Sequence, residues 1–426
     1  MKQIFIGFLL SFSSIMLMAQ LSPIQVKDGQ FIRNGKPYYF VGANLWYGMN
    51  LASIKMGGDR ARLLRELDSL QALGINNLRI MAASEGPDTE PYRIRPALQP
   101  RPGELEEDLL QGLDFLLVEM SKREMYAVLC LNNFFQWSGG MSQYVSWATG
   151  KPIPYPDVNG KDWDDFQHFS ARFFANKKAQ RLFRQFLVQI INRQNSLSGI
   201  PYKDDPVIMS WQLANEPRGF KYVKSYRKWV AKTSHFIKKQ DPDALVSLGG
   251  EGKLPYESIG TAFEQVSELP GLDYLTMHLW VENWGWYNPR QPDTYDDAMQ
   301  KAMAYLDDHV SIATRLRKPL VLEEFGISRD GGEHHPTGAT LKRDQYYRTI
   351  LDYLFHKAAG GAAVGGSNFW SWSGEGKPLQ PEALWQEGHP FTGDPPHEKQ
   401  GWYSIYFEDK STLQVIGEFV RKMSNL

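Results

Sequence analysis

Short apolar segments recur along the chain and are separated by longer stretches in which apolar residues return every three or four positions. Short apolar runs rich in branched and aromatic residues are typical of buried strands. Eight segments fit this pattern, namely residues 39–43, 77–81, 126–131, 207–213, 245–248, 274–278, 320–323 and 362–369. We predict a β-strand at each of them.

The intervening stretches predict helices. Leu63, Leu67 and Leu70 lie on one stripe that begins after Asp59 and ends at Gly74, which are suitable capping positions. Similar stripes occupy residues 105–120, 182–191, 223–237, 302–313 and 347–354. Alternating strands and helices favour a parallel sheet with covering helices, and eight strands without a break in composition favour closure into a (β/α)8 TIM barrel.

An open, doubly wound sheet is the competing α/β architecture. It usually carries a glycine-rich phosphate loop after its first strand. Here the segment 42–47 reads Gly-Ala-Asn-Leu-Trp-Tyr, which is aromatic and lacks that glycine pattern. The sequence therefore favours the barrel.

The ends of the chain suggest an exported single domain. Residues 1–19 resemble a signal peptide, with Lys2 before an apolar run and the small Ala19 at the cleavage position; an uncleaved anchor is the alternative. The remainder, 20–426, is predicted as one barrel domain. Turn pairs at 28–29 and 34–35 predict a β-hairpin over residues 24–40 that covers one barrel end. The longest loops are 132–175, 279–296 and 371–405.

Composition excludes several classes of function. Lys and Arg number 47 against 48 Asp and Glu, so the net charge of −1 gives no electrostatic reason to bind nucleic acid or anionic lipid. Cys130 is the one cysteine, which excludes an intrachain disulfide and a cysteine zinc site. His334 and His335 lie in a glycine-rich loop without a third spaced ligand, so we expect no metal and no cofactor.

Two glutamates carry the chemistry. In a barrel the catalytic groups lie at the carboxyl ends of the strands. Glu216 ends the fourth predicted strand before Pro217, and Glu323 and Glu324 end the seventh, where strand alternation lets only one of them face the mouth directly. Two carboxyls at one mouth suit glycoside hydrolysis, with retention of configuration if they lie about 5–5.5 Å apart. A structural salt bridge is the alternative for either glutamate alone.

Two further residues at strand ends could support them. Arg79, near the end of the second strand, could keep a carboxylate ionised, or form a structural ion pair. His278 ends the sixth strand, where a histidine is as often a satisfied polar group as a catalyst.

These motifs resemble the endo-β-1,4-mannanases of glycoside hydrolase family 5, a family of retaining (β/α)8 enzymes. The resemblance runs from about residue 24 to the C-terminus. Its most specific stretches are 202–206 leading into 211–218, then 322–326, 368–372 and 393–402.

The resemblance also implies roles for single residues. Glu216 resembles the acid/base, and Glu324 resembles the nucleophile. Arg79 resembles the arginine that hydrogen-bonds the nucleophile, Asn215 the asparagine that binds the 2-hydroxyl, and His278 the active-site histidine. The sugar platform of strand eight corresponds to Trp370.

The chain departs from the family pattern at two positions. Trp280 stands where many relatives carry a tyrosine whose hydroxyl contacts the nucleophile, and indole is a donor only. Gln212 stands where relatives often have glutamate. The first departure leaves open which group supplies the nucleophile's third hydrogen bond.

Tryptophan is unusually abundant, with 13 residues, and most follow strands one, three, six and eight. Sugars stack on aromatic rings, so an excess at the active-site end predicts a carbohydrate cleft. The predicted substrate-binding tryptophans are Trp46, Trp137, Trp280, Trp286, Trp370 and Trp372.

We therefore expect a retaining, cofactor-independent endo-β-1,4-mannanase that acts on mannan, glucomannan or galactomannan as a monomer. An exo-acting β-mannosidase or mannobiohydrolase on the same scaffold is the nearest alternative, because the long loops could close one end of the cleft. A β-1,4-endoglucanase is a third possibility. A carbohydrate-binding protein without activity is the alternative from another class, and the presence of both glutamates opposes it.

Overall fold

The N-terminal segment forms a small antiparallel sheet below the barrel. The structure is a computed structural model that describes residues 21–55, 57–254 and 259–426, so the predicted signal peptide lies outside the described residues. Three strands, β1 (Gln25–Lys27), β2 (Gln30–Arg33) and β3 (Lys36–Pro37), replace the single predicted hairpin, since both predicted turns form. Phe31 of β2 packs edge-on against Tyr274 with ring centroids 5.2 Å apart, which places this sheet under the amino ends of the barrel strands.

The predicted barrel is confirmed. All eight predicted strands form one parallel sheet, and they begin and end within two residues of the predicted positions. They are β4 (Phe40–Asn44), β5 (Asn77–Met81), β6 (Tyr126–Cys130), β7 (Ile208–Gln212), β8 (Leu245–Ser247), β9 (Leu275–Leu279), β10 (Leu320–Phe325) and β11 (Val364–Phe369).

Pairing runs in order from β8 back through β4 to β11, β10 and β9. Backbone hydrogen bonds from Asp273 to Val246 (2.9 Å) and from His278 to Glu251 (3.0 Å) close the ring between β8 and β9. Every residue of the eight strands is buried, as expected for a sheet with a filled interior and a helical cover.

Helices surround the sheet at the predicted positions. Asp59 caps the first long helix by accepting a hydrogen bond from the Arg62 amide (2.8 Å), and Asn176 caps another through the amides of Lys178 and Ala179 (both 3.0 Å). The helices are α1 (Gly48–Leu51), α2 (Arg60–Ala72), α3 (Glu107–Lys122), α4 (Gly140–Thr149), α5 (Trp163–Ala171), α6 (Lys177–Ile191), α7 (Val223–Gln240), α8 (Phe263–Ser267), α9 (Tyr295–Leu316), α10 (Leu341–Ala359) and α11 (Lys410–Ser424).

Two long loops carry structure of their own. The loop 132–175 contains α4 and α5, while strands β12 (Trp372–Gly374) and β13 (Ile405–Tyr406) pair at the two ends of the loop 371–405. Both loops rise above the carboxyl ends of the strands. Across the described ranges, no helix has the length and apolar character needed to cross a bilayer.

Candidate active site

Arg79 is the centre of a buried polar network at the barrel mouth. Its guanidinium donates to Gln212 Oε1 (2.8 Å), Asn44 Oδ1 (3.1 Å) and Asn215 Oδ1 (2.7 Å), and it pairs with a Glu324 oxygen at very short range. A guanidinium offers five donors in a fixed plane, so one side chain can orient several acceptors at once. Arg79 thereby fixes Glu324 relative to Asn215 on the opposite side of the mouth.

His278 joins the two predicted catalytic glutamates. Its Nδ1 atom lies 2.6 Å from Glu216 Oε1 and 3.2 Å from Glu324 Oε2. The contacting atoms of all three side chains lie within 4.8 Å of one another. The carboxyls therefore approach each other closely enough for a single pyranose ring carbon to lie between them.

Glu216 holds an unusual backbone conformation. Its φ of +49° falls in the left-handed region that is costly for a residue with a side chain. A hydrogen bond from its amide to the Gly249 carbonyl (2.8 Å) retains it there. A Cβ atom on Gly249 would lie 2.0 Å from the Ala214 carbonyl oxygen, so only glycine allows this approach. The turn directs the Glu216 carboxyl into the mouth.

The second carboxyl of strand β10 points into the barrel. Glu323 accepts a hydrogen bond from Gln212 Nε2 (2.7 Å) and lies 3.4 Å from Arg79 Nε. Gln212 thus bridges a cation and an anion, accepting from one and donating to the other. An irregularity in the register of β10 between Leu322 and Glu324 breaks the strict alternation, so both carboxyls reach the interior. Glu323 balances charge below the site, and Glu324 faces the pocket.

Burial controls the protonation of the glutamate pair. It raises the pKa of Glu324 to about 7, with help from the negative charges of Glu216 and Glu323 and against His278 and Arg79. Burial alone would raise the pKa of Glu216 too, but the hydrogen bond and positive charge of His278 lower it. These opposite shifts leave one proton on the pair below about pH 7, on Glu324 in the free protein. Because both carboxyls contact the same histidine nitrogen, the two groups titrate together.

His278 is held in its charged form. Burial lowers its pKa, yet the surrounding carboxylates, Glu324 foremost, raise it to about 10. The three-residue cluster has ligand atoms at a spacing that could suit a metal ion. A protonated imidazole has no lone pair for a metal at Nδ1, so the cluster is better described as an ion-paired acid–base group.

These contacts also address the departure at Trp280. Glu324 accepts from Arg79 and contacts His278, so two cationic groups satisfy the nucleophile candidate without a tyrosine. The Trp280 indole instead packs edge-on against Trp370, with centroids 6.0 Å apart, and tilted against Tyr403 at 5.1 Å. It shapes the pocket wall.

A pocket of about 370 Å³ opens above the glutamates. Of the predicted binding residues, it is lined by Trp137, Trp280 and Trp370, together with Asn215 and both catalytic candidates. Its aromatic edges and convergent polar groups have the character of a sugar site.

Three predicted tryptophans lie elsewhere. Trp372 is 0% exposed and packs on Phe407 behind the mouth. Trp46 is buried against Trp137 and donates to the Gly393 carbonyl (2.7 Å), while Trp286 packs against Trp284. Their positions after strands made them candidates, but Trp46 is covered by Phe391 and Gly393 of the loop 371–405 and Trp372 is buried at the start of that loop. The half-buried Trp286 packs within the loop 279–296.

Several pocket residues were missed by sequence reasoning. They include Trp163 on α5, whose exposed ring lies far from any strand end in sequence, and the pair Arg218–Glu251. Trp284, one of the tryptophans that follow strand six, lines the pocket too. Arg218 directly follows the Glu216–Pro217 motif, which was the available signal. It binds Glu251 through two hydrogen bonds of 2.7 Å.

One side of the pocket is closed by a wall where the loops 132–175 and 371–405 meet. The His397 ring lies parallel to the rings of Phe135 and Trp137 at centroid distances of 6.4 and 6.5 Å, and edge-on to Trp163 at 6.4 Å. Glu398 follows it along the pocket. We call His397 and Glu398 the ridge.

Asp394 holds the ridge in place. Its carboxylate accepts hydrogen bonds from the amides of Gly401 (2.8 Å) and Tyr403 (2.7 Å) and from Ser404 Oγ (2.6 Å). These hydrogen bonds join the two ends of the segment 394–404, which carries the ridge. The resemblance at 393–402 therefore corresponds to a clamped turn over the pocket.

Known proteins share this arrangement. The family model for the GH family 5 beta-mannosidase-like group matches residues 22–426. Mannan endo-1,4-beta-mannosidase 7 of Arabidopsis thaliana is 29% identical over 362 residues, which cover 82% of this chain and 77% of that protein.

Solved structures agree. The Glycoside Hydrolase Family 5 Mannosidase from Rhizomucor miehei has a TM-score of 0.88 at 41% identity and covers 95% of this chain and 98% of its own. An endo-1,4-beta-mannanase from the same organism has a TM-score of 0.70 at 21% identity, covers 95% of this chain and 100% of its own, and supports the fold alone.

The barrel and its paired carboxyls define a glycoside hydrolase. The chain belongs to the beta-mannosidase-like group of glycoside hydrolase family 5, as the sequence resemblance indicated. It is a glycosidase that cleaves mannosidic bonds.

Proposed function

We propose that the protein hydrolyses β-1,4-mannosidic bonds with retention of configuration. The observation that supports this most is the approach of Glu216 and Glu324 around a single His278 nitrogen, with Trp370 beside them. Retaining glycosidases place their carboxyls about 5–5.5 Å apart, whereas inverting enzymes leave room for a water molecule.

The first step forms a glycosyl-enzyme. In this step the proton of the pair has moved from Glu324 to Glu216, so that Glu324 is ionised. A Glu324 oxygen attacks the anomeric carbon as the bond to the leaving oxygen breaks, and Glu216 donates that proton to the leaving oxygen. Arg79 stabilises the negative charge of Glu324 before attack. Glu216 then removes a proton from water, which attacks the same carbon and releases Glu324 with the sugar in its original β-configuration.

Replacement of Glu324 by alanine tests the nucleophile. Turnover of mannobiose should fall at least about a thousandfold while binding remains, because the covalent step is lost. Glu418 on α11 provides a matched control, since it pairs with Arg348 and does not line the catalytic pocket, so Glu418→Ala should leave turnover unchanged. Hydrolysis by Glu324→Ala at the rate of the unmodified protein would refute the assignment.

Proton NMR of the first product tests the stereochemistry. The β-anomer of the newly released reducing end should appear before mutarotation produces α. Early appearance of α would exclude double displacement. A comparison of cellulose with glucomannan in the same assay tests the endoglucanase alternative.

We infer the place of cleavage along the substrate from the ridge. Mannan endo-hydrolysis is the activity named for the curated plant relative, and it remains our first sequence prediction. The contact of His397 with Phe135 and Trp137 favours the exo-acting alternative, because it closes the pocket next to Trp370. The side lined by Arg218 and Trp284 holds room for the leaving part of the chain.

Product analysis distinguishes these activities. With reducing-end-labelled mannohexaose, exo action should shorten the labelled chain one sugar at a time and release mannose. An early mixture of all intermediate lengths would instead establish endo action. Release of mannobiose alone would identify a mannobiohydrolase.

We also propose that the protein is exported, on the evidence of the apolar segment 1–19 with Ala19 at its end. N-terminal sequencing of the protein purified from the producing cells tests this. We expect a mature chain that begins near residue 20. A chain that retains Met1 and stays with the membrane fraction would support an uncleaved anchor.

A further inference from the structure

A second pocket, of about 780 Å³, lies across the ridge from the catalytic pocket. The two pockets share four lining residues, Trp163, Asn283, His397 and Glu398. The ridge between them is therefore a single layer of side chains. Nothing in the reaction described above uses this second pocket.

His334 lines the second pocket with unused hydrogen-bonding capacity. Its side chain is about nine-tenths buried, and neither ring nitrogen finds a hydrogen-bond partner among the described residues. The nearest carboxylate oxygen, from Glu382, lies 3.8 Å from Nδ1, beyond hydrogen-bond distance. Burial lowers the pKa of His334, so the neutral ring offers one donor and one acceptor.

The position of His334 is rigid. A Cβ atom on Gly401 would lie 2.0 Å from the His334 carbonyl oxygen, and Gly401 has a φ of +94°. The backbone of the strand-seven loop thus packs directly on the clamped turn that carries the ridge. The backbone at His334 is therefore held in place before any ligand arrives, which lowers the entropic cost of binding.

Glu398 presents a second polar group on the ridge. Its Oε2 atom has no hydrogen-bond partner within the described part of the chain. Burial raises its pKa far above the usual value, assisted by the charges of Asp394, Glu324 and Glu216, so the carboxyl is neutral and can both donate and accept.

Trp402 supplies an aromatic surface. It stacks on Tyr403 with centroids 4.8 Å apart and interplanar angle 14°, and its Nε1 donates to Glu282 (3.2 Å). The ring is therefore fixed as it lines the pocket. A fixed aromatic ring beside neutral donors and acceptors is the combination that recognises a pyranose.

We propose that the second pocket binds a neutral hexopyranosyl side branch attached to the sugar that occupies the catalytic pocket. This inference rests on the proposed function. A mannan main chain is linked through oxygens on the sugar rings, so its next sugar would have to pass through the ridge. A branch on the exocyclic 6-oxygen of the sugar in the catalytic pocket has one more rotatable bond, which lets the branch cross the ridge. The ligand class is thus a 1,6-linked hexose such as the galactosyl branch of galactomannan.

Matched substrates test the proposal. We would compare kcat/KM for mannobiose with that for mannobiose carrying an α-1,6-galactosyl group on its non-reducing sugar. His334→Ala and Trp402→Phe should each lower kcat/KM for the branched substrate about tenfold or more and change that for mannobiose by less than twofold. Glu418→Ala should change neither value.

The outcomes separate this inference from the proposed function. If the unmodified protein cleaves neither mannobiose nor mannohexaose, the proposed function is wrong. If it cleaves mannohexaose but not mannobiose, the proposed function stands and the branch site is wrong, because the inference needs the ridge to end the main chain. If it cleaves mannobiose but not the branched substrate, or if the variants cleave both as well as it does, the branch site is wrong. An equal loss on both substrates, or a selective loss on linear mannotriose, would also overturn the inference, the latter by assigning the pocket to a main-chain sugar.

Discussion

Replacement of Gln212 by glutamate would probe how the network beneath the site balances its charges. Gln212 Nε2 donates to Glu323 Oε1 at 2.7 Å, and its Oε1 accepts from Arg79 Nε at 2.8 Å. The substitution preserves size and the acceptor but replaces the donor. At neutral pH an ionised carboxylate would face Glu323 in the interior, where all three side chains are buried.

The magnitude follows from the atoms involved. Loss of a hydrogen bond to a charged group costs about 1.5–3 kcal/mol. Two carboxylates about 4 Å apart repel each other by about 4 kcal/mol at an effective dielectric constant of 20, partly offset here by Arg79. The introduced carboxyl escapes most of this by keeping its proton, which then donates to Glu323. We expect its folded pKa to rise at least about 2 units above the unfolded value of about 4.3.

The loss of stability caused by Gln212→Glu should therefore depend on pH. A proton bound more tightly in the folded state stabilises the variant below pH 4.3, and this stabilisation is lost as pH rises through the folded pKa. Two pKa units correspond to about 2.7 kcal/mol. At about 2.1 cal/mol/K of unfolding entropy per residue, this lowers Tm by about 3 °C for a chain of 426 residues.

Thermal unfolding of Gln212→Glu and the unmodified protein at pH 5 and pH 8 measures the effect. The difference in Tm should grow by about 2–3 °C between these pH values. Gln212→Leu removes both hydrogen bonds without adding a titrating group, so the decrease in its Tm should be the same at both pH values. The reasoning would be refuted if the Tm of Gln212→Glu equals that of the unmodified protein at pH 8, or if its Tm is lower by the same amount at both pH values.

Three further results are expected. Since Glu216 and Glu324 share a proton up to about pH 7, kcat/KM for mannobiose should fall tenfold per pH unit above that value, and a flat profile to pH 9 would contradict the shared proton. Asp394→Ala leaves buried amides without their acceptor, so Tm should fall by a few degrees and KM for mannobiose should rise as the ridge loosens; unchanged values of both would show that the clamp is dispensable. Asp114 is fully buried and accepts two hydrogen bonds from Arg193 (2.9 and 2.6 Å). Its replacement by alanine should lower the free energy of unfolding by about 3–5 kcal/mol, measured by urea denaturation. A loss below about 1 kcal/mol would contradict the role of Asp114 as a buried ion-pair partner.

Local patterns were sufficient for the framework of the barrel. The strand at 77–81 was predicted without error, and Asp59 was recognised as a helix cap because capping chemistry acts within a few residues. Glu216 and Glu324 could be selected since a strand-end carboxyl is visible in sequence and the barrel brings all strand ends to one face.

Substrate contacts were less predictable. Trp46 and Trp372 follow strands just as Trp370 does, and all three rings are buried, yet of the three only Trp370 lines the pocket. The side chain of a strand-end residue can face the mouth or the helices, and a loop that returns from elsewhere decides which rings are covered. Trp163 shows the converse, because it is distant from any strand end and is 42% exposed over the site.

By itself, the sequence determined the order of strands and helices and singled out two strand-end glutamates as catalytic candidates. These depend on periodicity and on residues within one motif. Only the tertiary structure decided that His278 joins the two carboxyls, that Gln212 bridges Arg79 and Glu323, and that a ridge divides the mouth into two pockets. Each of those features joins side chains from segments remote in sequence, and their distances exist only once the barrel has closed.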